Sequence, residues 1–269
     1  SLLFNGNHET HNEEFDKYLK INGYKFKSQY NGISGYIFVK NQKSSLITDL
    51  GPPPDKKYSQ NYQSGIFSIE LMYLDKKIIT NSGYYQKKRH QLNSISRSSA
   101  SHSTLVLDNN SVTKFKRDSL GKDFCEGTFK VFDKKYIFEK DKWYIEASHD
   151  GYQRIYGVIH SRKIEYLCNE FILNGTDTLL KKSNFKTSNF EVRFHLMPGA
   201  KVTKTIDNKS ILIDIENTGW KFSCLNYNID VETGLYFGKK NKYIENQNIF
   251  ISGTTINDKQ KISWKFEKL

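Results

Sequence analysis

Phe190-Glu191-Val192-Arg193-Phe194-His195-Leu196-Met197 is the cleanest alternation in the chain. Phe190, Val192, Phe194 and Leu196 fall on one side; Glu191, Arg193 and His195 fall on the other. Apolar groups at a period of two predict a strand with one face in a core. The pattern recurs outward from it. Residues 66–74 place Phe67, Ile69, Leu71 and Tyr73 together, and Ile262, Trp264 and Phe266 alternate with Ser263, Lys265 and Glu267. Strands are also expected at 35–39, 78–80, 104–107, 127–132, 136–139, 143–147, 154–161, 163–167 and 171–173. The C-terminal part adds 202–206, 210–216, 220–224, 228–232, 235–237 and 248–252. Roughly sixteen short strands separated by turn residues predict stacked antiparallel sheets. Asp75-Lys-Lys77, Asn174-Gly-Thr-Asp177 and Pro198-Gly199 read as turns, and the polar run 84–96 as a long loop.

One helix is expected, over 12–20. Asn12 caps it, Glu13 and Glu14 suit its positive end, Phe15, Tyr18 and Leu19 share a face, and Asn22-Gly23 stops it. The fold class is therefore all-β: a large, multi-stranded antiparallel β-sandwich with one short N-terminal helix. Residues 1–28 form a helical lead-in and 29–269 the sandwich.

The formal charge of the 269 residues is +12. Its lysines are dispersed in pairs such as Lys56-Lys57, Lys134-Lys135 and Lys239-Lys240, without an arginine-rich arm or an RNA-recognition signature. That reads as a solvated basic surface with no nucleic-acid partner, while leaving room for a localised anion site. Cys125, Cys168 and Cys224 are odd in number and far apart, which predicts core thiols rather than disulfides or a zinc knuckle. No apolar run is long enough to span a membrane. The chain opens on Ser1 without an initiator Met, as expected of a piece of a longer polypeptide; an export signal would then lie upstream.

Chemistry concentrates between Asp49 and Leu107. Asp49-Leu-Gly-Pro-Pro-Pro54 is a rigid turn, because consecutive prolines fix φ and remove donors. Arg97-Ser-Ser-Ala-Ser-His102-Ser-Thr-Leu-Val-Leu107 puts one histidine among small hydroxylated residues just before an apolar strand. Two readings stand for it: a packed interior imidazole, or a reactive one. His8-Glu-Thr-His11 has one residue too few between its histidines for the helical metalloprotease spacing.

The Asp49–Leu107 stretch resembles the C-terminal β-sandwich of heparinase II/III-like proteins, a polysaccharide-lyase family. The resemblance continues in order through His149-Asp-Gly-Tyr152, His160-Ser-Arg162, Asn174-Gly-Thr-Asp177, Arg193-Phe-His-Leu-Met-Pro198 and Asn217-Thr-Gly-Trp220. It implies a supersandwich-like sheet stack behind an α/α toroid that this chain lacks. It also implies β-elimination on an acidic, uronic-acid polysaccharide, and a periplasmic or cell-envelope setting. In such chemistry a base removes the proton beside the carboxylate, cations neutralise that carboxylate, and an acid protonates the leaving oxygen.

Carried over by position, the family's first, closely spaced histidines fall near Asn61 and Gln63, its carboxylate at Asn81 and its last histidine at His102. Neutral amides are poor ligands for a divalent transition metal, so no metal cofactor is expected here. His102 and Tyr85 are the catalytic candidates. Arg97, His149, Arg154, His160 and Arg162 are the candidates for holding a sugar carboxylate, with His160 and Arg162 on one strand face. The competing reading makes His149, His160 and His195 satisfied histidines between sheets, with Arg162 paired to Glu165 or Asp150. A non-catalytic glycan-binding or structural module is the alternative function.

Overall fold

The computed structural model describes residues 17–23, 32–33, 35–87, 90–119, 121–238 and 242–269. Two large antiparallel sheets face each other across one core. The strands carry labels in chain order. The nine-stranded sheet runs, edge to edge, Gly32–Ile33 (β1), Tyr36–Lys40 (β2), Ser44–Asp49 (β3), Ile69–Tyr73 (β4), Lys76–Thr80 (β5), Asn189–Leu196 (β13), Ile244–Thr254 (β18) and Ile229–Tyr236 (β17). Its ninth strand, Leu105–Leu107 (β6), also pairs with β13.

The eight-stranded sheet runs Lys201–Lys204 (β14), Ser210–Ile215 (β15), Thr218–Ser223 (β16), Lys259–Lys268 (β19), Ile172–Lys181 (β12), Val158–Leu167 (β11), Lys142–His149 (β10) and Val131–Phe138 (β9). Lys114–Arg117 (β7) and Asp123–Glu126 (β8) form a separate hairpin.

The alternation in β13 does what its pattern predicts. Phe190, Val192, Phe194 and Leu196 are buried in the core. Phe194 meets the Trp264 ring of β19 edge-on at 4.6 Å and Phe222 of β16 at 4.8 Å. Aromatic pairs at these separations add to what their buried area contributes. Ser44 of β3 bridges the layers by a 2.7 Å bond to the Tyr166 hydroxyl of β11.

Several local expectations differ. Asn174-Gly-Thr-Asp177 is not a turn but the interior of β12, paired on both sides. Gly175 stands there because the Trp264 indole lies over it: an added Cβ would sit 2.0 Å from Cζ2. Residues 154–161 do not begin a strand. Gln153–Tyr156 is a helical turn, and β11 runs unbroken from Val158 to Leu167. The polar run 84–96 contains a helix, Gln91–Arg97, whose N-cap His90 accepts the Leu92 N–H. Strand β3 and the β7–β8 hairpin were not anticipated.

Three two-residue hairpin turns, Leu74-Asp75, Asp108-Asn109 and Glu216-Asn217, carry positive φ at both positions without glycine. That is the type I′ geometry whose twist suits paired strands. Of the expected N-terminal helix, residues 17–21 are helical; the rest of it lies outside the described residues, as does His8-Glu-Thr-His11.

Gly175→Ala is expected to lower the unfolding free energy by about 1–3 kcal/mol through overpacking against Trp264, measured as a shift in urea midpoint at unchanged m.

Candidate functional site

The nine-stranded sheet divides at β13. At one end β13 pairs with β5 through His195↔Thr80; at the other it pairs with β6 through Val192↔Leu105. Ser103 lies at the division and stitches it: its Oγ donates to the Thr80 carbonyl and accepts the His195 N–H. The carbonyls of Phe67 and Ser103 fall just outside the strand ladders. Arg162, reaching across from β11, donates Nη1–H to both, at 2.8 and 2.9 Å.

The rest of the Arg162 fork goes to Asp177 of β12, Nε to Oδ1 at 2.7 Å and Nη2 to Oδ2 at 3.0 Å. Trp264 Nε1 donates to the same Oδ2, and His160 Nε2 to Oδ1 at 2.7 Å. His149 Nε2 donates to His160 Nδ1 at 3.0 Å, and the Gly151 N–H completes the chain at His149 Nδ1. Every proton is thereby assigned. Both histidines are neutral and Asp177 is an ionised carboxylate with four donors. Burial alone would raise the Asp177 carboxyl, but the Arg162 charge and the His160 bond hold it far below its ordinary value. Burial pushes both imidazoles down; for His149 the His160 and Arg162 charges add to it, while for His160 the bond to Asp177 opposes it.

His149, His160 and Arg162, expected to hold a sugar carboxylate, are thus brought together, but between the sheets and with their polar capacity used. Arg162 pairs with Asp177, not with Glu165 or Asp150; Glu165 pairs with Lys142. Arg154 is exposed on the helical turn Gln153–Tyr156, apart from them. Arg97 is a buried strut. It donates to the carbonyls of Tyr62 and Ser59 and to Asp123, with its guanidinium 4.3 Å from the Phe115 ring centroid. Tyr85 is buried against Phe237 and His90.

His102 sits one residue before Ser103, only 1% exposed. Its Nδ1–H donates to the Ser98 carbonyl at 2.8 Å, which leaves Nε2 as the unprotonated nitrogen. Burial pushes its pKa down to about 4. Gly65 passes against the ring: a Cβ there would fall 2.7 Å from Cδ2. Gln63 is two residues before Gly65, and Asn81 accepts the N–H of Ser103, the residue after His102. The Asn81 amide also donates to Glu70 Oε1. Among the described residues no group of three His, Cys, Asp or Glu could hold a metal ion.

On β2, β3 and β4 lie polar groups the sequence reading passed over. Glu70 is buried on β4 and takes Lys77 Nζ at 2.9 Å. Asp49 is buried at the end of β3, and burial pushes its carboxyl up to about 7 against the Gly51 N–H and the Lys134 charge. Burial also raises Tyr36, with the Asp49 and Glu70 charges adding to it. A carboxylate amid strand residues, Ile-Glu70-Leu, was the available signal.

The family model described as heparinase II/III-like, C-terminal, matches residues 30–265. The chain belongs to the heparinase II/III-like family. Among curated proteins it is 25% identical over 247 residues to the FtsZ-localized protein C of Caulobacter vibrioides, covering 87% of this chain and 42% of that protein. Among solved structures it resembles the heparan sulfate lyase HepC of Pedobacter heparinus, with TM-score 0.73, 13% identity, and 96% of this chain on 41% of that one. A heparinase III matches likewise at TM-score 0.73, 15% identity, and 97% against 40%. At these identities the structural likeness establishes the sandwich fold. The chain spans about two fifths of the length of these relatives.

Two outcomes follow for this region. Asp177→Asn, which leaves a buried guanidinium without its counter-charge, is expected to destabilise by about 3–5 kcal/mol in chemical denaturation. Asp49 has its folded pKa above the unfolded 3.8, so its penalty is absent below pH 4 and complete above pH 7. Asp49→Asn should therefore gain stability over wild type as pH rises from 4 to 7, by up to about 4 kcal/mol, read from paired denaturation curves.

Proposed function

We propose that this chain is the C-terminal sandwich of a heparinase II/III-like polysaccharide lyase that cleaves uronic-acid polymers by β-elimination, with an α/α toroid in the same polypeptide supplying the main acid and base. The family match over residues 30–265 carries the reading. The shelf around His102 is where this domain contributes: its imidazole is neutral across the physiological range and its tautomer is fixed by Ser98. An imidazole with Nε2 unprotonated is the form that accepts a proton, which is the abstraction half of the reaction. An envelope or periplasmic setting suits a polymer of that kind.

A second reading is favoured by one specific observation. Asn81 stands where relatives place a carboxylate, and both ends of its amide are spent on Ser103 and Glu70. On that reading the protein binds glycan without cleaving it.

The test assays the full-length polypeptide and the 269-residue chain on a panel of uronic-acid polysaccharides, following the ultraviolet absorbance of unsaturated uronate. Product from the full-length protein and none from this chain alone is the expected result, with a His102→Gln full-length variant slowed at least tenfold. Millimolar oligouronide binding without product supports the second reading, and neither product nor binding removes both.

A further inference from the structure

Three loops meet at one end of the sandwich: the β14–β15 turn, the β16–β17 connection and the β18–β19 turn. The first two are sewn together by Cys224 N–H to the Lys209 carbonyl and Ile229 N–H to the Asn208 carbonyl. The third joins through Gln260, which donates to the Tyr227 hydroxyl while its Oε1 accepts the Ile256 N–H. Each loop presents one large aliphatic side chain to solvent: Ile206 at 103% exposure, Leu225 at 80% and Ile256 at 67%. Ile21, Tyr58 and the C-terminal Leu269 are comparably exposed among the described large hydrophobics.

Isolated aliphatics on one surface are ordinary. Three at the tips of loops bonded to one another are not explained by folding, since none of them packs on the core. The loops are pinned by the bonds above, so presenting these side chains requires no ordering on contact.

The surrounding charge narrows the partner. Asp230 and Asp258 are paired with Lys204 and Lys181. Asp108 and Asp207 accept backbone N–H groups of Asn189 and Lys209. Lys182 and Lys186, on the loop from β12 to β13 at this same end, and Lys259 have no acidic partner among the described residues. Asp108 and Asp207 keep their charge, but these three lysines leave the end net basic, and apolar tips on a basic end match an interface that is anionic outside and hydrocarbon beneath.

We propose that this end of the domain docks on an anionic lipid bilayer, inserting Ile206, Leu225 and Ile256 among the acyl chains with the lysines at the headgroups. The surface is separate from the His102 shelf and does not rest on the lyase reading.

Co-sedimentation of the 269-residue chain with vesicles tests it, using phosphatidylglycerol mixed into phosphatidylcholine against phosphatidylcholine alone. Binding to the anionic vesicles is expected, weakened at least tenfold both by omitting phosphatidylglycerol and by the triple variant Ile206→Ser, Leu225→Ser, Ile256→Ser. These side chains lie outside the core, so the variant should keep the wild-type melting temperature. No sedimentation with anionic vesicles overturns the proposal. So does binding that survives the triple substitution, or sedimentation without lipid that the substitution abolishes, which would mark a self-association surface instead.

Discussion

An arginine buried between two sheets is tolerable only if its charge and donors are met, and Arg162 makes four hydrogen bonds that join two strands and two loops. Its counter-charge comes from Asp177 on the neighbouring strand, and its remaining donors go to the Phe67 and Ser103 carbonyls on the opposite sheet. A hydrophobic replacement could fill the volume, and buried ion pairs often add little net stability over such a replacement. It could not satisfy those two carbonyls. The Ser103 carbonyl lies at the division of the nine-stranded sheet and the Phe67 carbonyl in the turn before β4, and a buried carbonyl without a donor is costly. The ion pair is thus the complement of an irregularity in the facing sheet.

That irregularity positions the shelf. Ser103 belongs to the sheet division, to Arg162 and to Asn81 at once. His102 precedes it and is held by Ser98 from the turn before. The imidazole therefore inherits its place from the core of the domain through the backbone at Ser103, and its tautomer from its own bond to Ser98. His149 and His160 play a different part. They extend the Asp177 network to Gly151 and fix the entry of the turn that follows β10.

The sandwich was legible because its signal is local. The alternation of Phe190 to Met197 or of Ile262 to Phe266 needs only the chain itself, and the core confirms those faces. What was not legible depended on partners far along the chain. Asn174-Gly175 has turn composition, yet the Trp264 indole from β19 makes glycine the only residue that fits inside that strand. Leu74-Asp75 lacks the usual glycine or asparagine of a tight hairpin, so the turn type was hidden. Asp177 as the mate of Arg162 could not be chosen over Glu165 or Asp150, because strand register decides it and register lies in pairing rather than composition. His102 stands out by its setting of small residues; Glu70 is signalled only by lying amid strand residues, and the burial that gives Asp49 its character has no sequence signature.

The polar interior then falls into two populations with opposite electrostatics. Between the sheets, Asp177 is stabilised as an anion by Arg162, His160 and Trp264. Around the end of β3, burial raises both Asp49 and Glu70, and the buried hydroxyls of Thr48, Tyr62 and Ser68 have no hydrogen-bond partner among the described residues. Folding gains nothing from that second arrangement. Strained carboxyls and unsatisfied hydroxyls gather where structure is held for some purpose other than stability. The histidine-rich network has the more conspicuous composition, but the carboxyls that burial raises, Asp49 and Glu70, lie apart from it, at the end of β3 and on β4.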